Sequence, residues 1–268
     1  MNYRHAFHAG NFADVAKHLA LVAILLHLRK KDAPFAVIDT HAGAGAYDLA
    51  GPEAQRTGEA AEGIGRLGDL ALTGMTALST YLELVRGNLY PGSPLIAAKL
   101  LRPQDRLVAV EKHPDQAAVL ADVLRPFRRA RVEAADGYTR LIALMPPPER
   151  RGVVLIDPPY EAEDEFTDAA RAFASAFRRF ATGTFMIWFP VKSPAQANGF
   201  CGEVLAAGAA SALRLDVVRG GAADDGLSAA GLLIINPPWQ FAKEMREALA
   251  PVLPLLGAQA RFETLAGD

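Results

Sequence analysis

Four short aliphatic runs in this chain each close on a carboxylate, and this repetition limits the fold more than any other feature. They are PFAVID (34–39), RLVAVE (106–111), ARVEAAD (130–136) and VVLID (153–157), ending on Asp39, Glu111, Asp136 and Asp157. Aliphatic runs of this length, bounded by turn residues, read as buried strands. Helical periodicity fills the intervals near 114–127, 137–145 and 162–180, and another helix begins near Ala195. Three further runs, TFMIWF (184–189), LRLDVV (213–218) and GLLIIN (231–236), bring the expected total to seven strands. Alternation of this kind predicts an α/β fold with a seven-stranded, mostly parallel, doubly wound sheet and right-handed crossovers. Ligands of such sheets bind beyond the carboxyl ends of the strands, so the four acids are expected to share one crevice.

One stretch breaks the rhythm. Between the first two strands, residues 46–104 hold EAAEGIGRLGDLA and GMTALSTYLELVRG, two helical patterns with no strand between them. We read 1–268 as a single domain in which 46–104 is a mostly helical insertion. Ahead of the first strand, Asn11 and Asp14 open a helix whose apolar positions continue to Leu26. Ser93-Pro94 has the form of a helix cap followed by proline at the first helical position. A single cysteine, Cys201, excludes an internal disulfide. No signal-type segment opens the chain, and its longest apolar run, LALVAILL, is too short for a bilayer. These features predict a cytoplasmic protein without a membrane partner. The net charge of −2 advertises no global attraction for nucleic acid, although basic residues cluster locally.

The turn THAGAGAY after the first strand places Gly43 and Gly45 where a ligand backbone could come close. Glu111 has the position from which a strand-ending acid accepts ribose hydroxyls. The third glycine of the dinucleotide fingerprint is missing, and no acid ends a strand at the usual distance. A nucleoside with a short charged tail therefore fits better than a nicotinamide cofactor.

A glycine turn, then acids ending the second and third strands, then Asp157-Pro158-Pro159-Tyr160 resembles the class I, Rossmann-like methyltransferases that act on exocyclic amines. That resemblance implies S-adenosyl-L-methionine as cofactor. An adenine amine is a poor nucleophile because its lone pair is delocalised into the ring. Asp157 and the fixed carbonyl of Pro158 would accept its N–H bonds, and Tyr160 would stack against a flipped base. A second tetrapeptide, Asn236-Pro237-Pro238-Trp239, has the same form. The last strand of the methyltransferase sheet runs antiparallel, which would put this second motif on the far edge and make it structural.

YRHAFHAGNFADVAKH, DTHAGAGAY, RTGE, YPGSPLIA, VEKHP, ADGY, RRGVVLIDPPYE and INPPW occur together in this order. The set is similar to the bacterial RlmJ family, which methylates adenine N6 in 23S ribosomal RNA. The resemblance implies that His18, His41, Ser93, Glu111, Asp136 and Gly137 line the cofactor pocket and that Asp157 is catalytic. It places Tyr3, His5 and Lys17 beside the substrate base or its phosphates. It implies ribosomal RNA as substrate; nothing in the sequence demands a dimer or an obligate protein partner, so a monomer is expected. Five of the six histidines fall before residue 42, but no partner cysteines or HExxH spacing accompany them, so no metal is expected. Trp188 and Phe189 are expected to pack the core. The alternatives are a DNA adenine-N6 methyltransferase, a nicotinamide oxidoreductase and a non-catalytic ribosomal RNA-binding or assembly factor.

Overall fold

A computed structural model of the chain describes residues 4–71, 74, 76–220 and 227–266. The first long helix, α1 (Phe12–Arg29), starts where the Asn11 side chain accepts the Asp14 amide at 2.9 Å. Its residues are buried on every face, because it lies under the sheet and is flanked by three other helices.

The main sheet is built from β1 (Ala36–Asp39), β4 (Arg106–Glu111), β5 (Ala130–Ala134), β6 (Gly152–Ile156), β7 (Thr184–Pro190), β8 (Ala212–Arg219), β9 (Ala229–Ile235) and β10 (Ala258–Ala266). A separate antiparallel pair joins β2 (Ala46–Tyr47) to β3 (Tyr90–Pro91). Strands in the main sheet lie in the order β10-β8-β9-β7-β6-β1-β4-β5. From β1 the chain crosses outward through β4 to β5, then returns to the other side of β1 for β6 and β7. That reversal makes a topological switch point between β1 and β6. β5, β4, β1, β6 and β7 are mutually parallel, while β9 runs antiparallel to both β7 and β8.

The expected α/β class holds, with eight strands in the main sheet rather than seven. β10 is the addition, pairing antiparallel with β8 along the edge. Its alternation of Arg261, Phe262 and Glu263 gives a half-exposed edge strand a weak apolar signal.

Side-chain alternation along the strands makes two cores. Val37, Leu107, Val153 and Met186 face α1 and α5 (Ser93–Leu100). Ile38, Val108, Val154 and Ile187 face α7 (Gly137–Leu144), α8 (Glu165–Phe177) and α9 (Pro194–Leu205). α6 (Pro114–Leu124) follows β4, and α10 (Phe241–Leu249) packs beside α1.

The stretch after β1 differs in detail from the expected two helices. It holds α2 (Pro52–Thr57), α3 (Glu59–Glu62), a 3-10 turn (Ile64–Leu67), α4 (Ala77–Val85) and the small β2–β3 pair. The first expected helix breaks at Gly63, where a Cβ would lie 2.0 Å from the Gly10 carbonyl oxygen. That close approach lets the Ile64 amide donate to the same oxygen at 2.8 Å. Ser93 is the first residue of α5 and not its cap, a position held by Gly92. Among the described residues no helix is long and apolar enough to cross a membrane.

Candidate active site

The carboxyl ends of β1, β4, β5 and β6 open into one cavity of about 410 Å³, roofed by residues 4–11 and by the segment after β1. Register explains the convergence. Asp39 of β1 lies level with Leu155 of β6 and Ala109 of β4, so Asp157 and Glu111 each stand two residues beyond it. His5, Lys17, His18, His41, Gly43, Ser93, Glu111, Asp136, Gly137, Asp157, Pro158, Pro159 and Tyr160 all line this cavity. Gly45 does not. Its φ of +80° turns the chain, and a Cβ there would meet Leu120 at 2.6 Å, so it serves packing against α6. Tyr3 lies outside the described residues.

On the β4 side, the Glu111 carboxylate accepts the Gly43 amide at 2.8 Å and the His113 amide at 2.7 Å. Each oxygen keeps a further lone pair for a ligand donor. Asp136 caps α7 by accepting the Thr139 amide and pairs with Lys112 at 3.1 Å. Those contacts hold Asp136 below the usual carboxylate range against the opposing effect of burial. Gly137 lets α7 begin against the end of β1, because a Cβ would stand 2.1 Å from the Thr40 carbonyl oxygen. The single Thr40 hydroxyl proton goes to the Leu155 carbonyl, so His41 Nδ1 donates to Thr40 Oγ1 at 2.8 Å. Burial lowers His41 to about 4, leaving a neutral ring whose Nε2 is an acceptor.

Under the roof, charge is concentrated. Lys17 Nζ donates to Asp157 Oδ2 at 2.6 Å and meets Asp14 Oδ1 at 2.8 Å. Asp14 also takes His5 Nε2 and the Gly10 amide, both at 2.9 Å. Burial works against both ions, yet Asp14 and Asp157 hold Lys17 well above its usual value, and His5 and Lys17 hold Asp14 well below its own. Lys17, which a helix-surface reading would leave solvated, is thus a buried bridge. His18, lowered to about 3 by burial, is neutral and hydrogen-bonds the Tyr90 hydroxyl, which continues to Tyr81. Beneath the floor, the Ser93 hydroxyl donates to Asp39 at 2.7 Å, which leaves Ser93 only acceptor capacity toward the cavity.

Tyr160 is buried with φ +51°. Its ring packs on Phe166, Trp188 and Phe200, and its hydroxyl donates to the Trp188 carbonyl at 2.8 Å. Trp188 packs against both cores, as expected, but it is only half-buried and also lines the cavity, and its indole nitrogen has no partner among the described residues. Phe189 is core, as expected. Sequence reasoning also missed Tyr138, whose hydroxyl donates to Glu165 at 2.6 Å, and Asp14. The i,i+3 spacing of Asp14 and Lys17 was the available signal for the latter. Asn236 sits on the opposite edge, away from the cavity, donating to the Ala181 and Gly183 carbonyls ahead of β7, so this residue of the second tetrapeptide has a structural place. Among the described residues no group of three or more His, Cys, Asp or Glu is arranged to hold a metal ion.

A mostly parallel sheet with this strand order, and acids gathered at its switch point, defines a Rossmann-like methyltransferase. Comparison with known proteins narrows the class. The family described as ribosomal RNA large subunit methyltransferase D, RlmJ, matches residues 32–261. Ribosomal RNA large subunit methyltransferase J of Escherichia coli is 42% identical over 260 residues, covering 93% of this chain and 91% of that protein. Its namesake from Haemophilus influenzae is 39% identical over 259 residues, covering 93% and 92%. The crystal structure of protein LPL1258 from Legionella pneumophila superposes with a TM-score of 0.87 at 32% identity, covering 97% of this chain and 99% of that one. The chain belongs to the RlmJ family.

Proposed function

We propose that this chain is a ribosomal RNA large-subunit methyltransferase that uses S-adenosyl-L-methionine to methylate the exocyclic N6 of an adenine in 23S ribosomal RNA. The reading takes residues 1–268 as one cytoplasmic, monomeric methyltransferase domain with 46–104 inserted. The observation that carries the chemistry is the Asp157 carboxylate, held by Lys17 at the mouth of β6 in the same cavity as Glu111 and Asp136.

The donor set fits the cofactor. Glu111 offers spare lone pairs to ribose hydroxyls, Ser93 and neutral His41 offer acceptors to an ammonium, and Gly43 and Gly137 let Tyr47 and the Thr40 carbonyl pack closely into the pocket wall. Bound there, the cofactor supplies an electrophilic sulfonium methyl group. Asp157 and the Pro158 carbonyl accept the N–H bonds of a flipped adenine, which localises the nitrogen lone pair, and Asp157 then receives the displaced proton. Lys17, tied to Asp14, fixes the direction of the Asp157 carboxylate. Tyr160 offers the base a ring that its own hydroxyl bond holds still.

Mass spectrometry of ribosomal RNA nucleosides tests the reading. Deleting the gene should lower N6-methyladenosine in 23S RNA, and the wild-type chain should restore it. An Asp157→Asn chain should not, its kcat falling about 10²–10⁴-fold while cofactor affinity changes little. Unchanged N6-methyladenosine in the deletion strain would reject the proposed activity.

A further inference from the structure

The chain carries a net charge of −2, and the cavity edge is acidic. The connections that leave β1, β4, β5, β6 and β7 at their carboxyl ends (40–45, 112–113, 135–136, 157–164 and 191–193) hold five acids against Lys112 and Lys192. Attraction for a polyanion therefore has to come from elsewhere.

The connections entering the same five strands have the opposite character. Lys30 and Lys31 precede β1, Arg102 precedes β4, and Arg125, Arg128 and Arg129 precede β5. Arg150 and Arg151 precede β6, and Arg178 and Arg179 precede β7. Ten basic residues stand there against Asp32, Asp105 and Glu149, an excess of seven positive charges in a chain whose total is negative. These five strands are adjacent in the sheet, so their starts form a row about 20 Å long at about 4.8 Å per strand.

Internal pairing does not use up this charge. Arg102 and Arg151 both lie over the Phe35 ring, at 5.4 and 5.8 Å, and both donate to the Ala33 carbonyl, which fixes the middle of the row. Lys31, Arg128, Arg129 and Arg150 are exposed and make no ion pair among the described residues. At one end stands Trp239, 77% exposed. Its loop is held between Asn236 (φ +51°) and Gln240 (φ +64°), with Asn236 tied to the turn that follows Arg178 and Arg179. An exposed ring on a loop tied to the turn that follows Arg178 and Arg179 suits an unpaired base and its phosphates.

We propose that this edge of the sheet, opposite the catalytic cavity, is a second RNA-docking surface that grips ribosomal RNA remote from the target adenine. The proposal rests on the RNA-methyltransferase reading of the cavity. The test compares two probes: transcribed 23S ribosomal RNA, and a short fragment spanning the methylated adenine. An Arg128→Gln/Arg129→Gln/Arg178→Gln chain should bind the long RNA tens-fold more weakly at physiological salt. Its log–log salt dependence should be shallower by about 0.7–0.9 for each phosphate that the variant leaves unneutralised. Trp239→Ala should weaken the same binding roughly tenfold. Methylation of the short fragment should stay at the wild-type rate in both variants. A Lys31→Gln/Arg150→Gln chain provides the same readout if the triple variant fails to fold. Wild-type affinity for the long RNA in these variants would overturn the docking surface. A wild-type chain that methylates neither probe would instead overturn the proposed activity.

Discussion

Asp14 and Asp39 are both sealed from water, yet their protons are held very differently. Burial raises both. Asp14 offsets it with the adjacent His5 and Lys17, whereas for Asp39 the Ser93 hydroxyl, the His41 amide and the more remote Lys17 charge do not outweigh burial and the Asp157 charge, and it is pushed up to about 7. An acid whose folded value exceeds its unfolded one binds more protons when folded. Its contribution to stability therefore falls as pH rises from about 4 to 7 and is constant above. Asp39→Asn keeps an acceptor for Ser93 and removes the titration. The variant should gain on wild type between pH 5 and pH 8 by up to a few kcal/mol, at about 1.4 kcal/mol per unit. Urea midpoints at the two pH values check this, and an equal difference at both would refute a buried, proton-sharing Asp39. Residues of this kind mark where the sequence stops being readable. Glu111, Asp136 and Asp157 were legible because each closes a strand. The Lys17–Asp157 bond joins positions 140 residues apart, and no local pattern announces it.

Strands and helices were legible where apolar period and turn chemistry agreed, and illegible where one close contact overrode them. Gly63 looked like a tolerable helix residue, but Gly10 needs the space a side chain would take. β10 was hidden because an edge strand can carry Arg261 and Glu263 without harm. Gly137 is the opposite case, a glycine whose position after a strand-ending acid already pointed to the site. Its missing Cβ would meet the Thr40 backbone, which has no flexible end to move aside. Gly137→Ala should therefore push the start of α7 away from β1. We expect about 1–3 kcal/mol of lost stability and more than tenfold weaker binding of S-adenosyl-L-methionine by calorimetry. Gly202→Ala in α9, with nothing within 4 Å, should instead be neutral or stabilising. Equal behaviour of the two variants would show that the β1–α7 contact does not shape the cavity.

Residues 5–11 are held over the site by Asp14 of α1 and by the segment after β1. His8 and Asn11 both bind the Glu59 carboxylate, at 2.9 and 3.0 Å, Thr57 donates to the Phe7 carbonyl, and Ile64 donates to the Gly10 carbonyl. The helical pattern beginning at Glu59 was recognisable, but the six-residue α2 before it was not, and the N-terminal strip has no period. The contact with Glu59, working against burial, raises His8 above 6.5. For a histidine raised in the folded state, the stabilisation is complete below 6.5 and is lost as pH climbs through the folded value. The roof of the cavity is thus expected to loosen on the alkaline side of neutrality while the sheet beneath is unaffected. Hydrogen exchange, corrected for intrinsic rates, should show amides 5–11 losing protection between pH 6 and pH 8.5, with β1 and β6 unchanged. Glu59→Gln removes the charge that raises His8 but keeps a side chain able to bond Asn11. In that variant the pH dependence should flatten at the loosened level. Persistence of the wild-type pH profile in Glu59→Gln would show that the strip is held by its backbone contacts to Thr57 and Ile64, and that charge at position 59 has no part in closing the site.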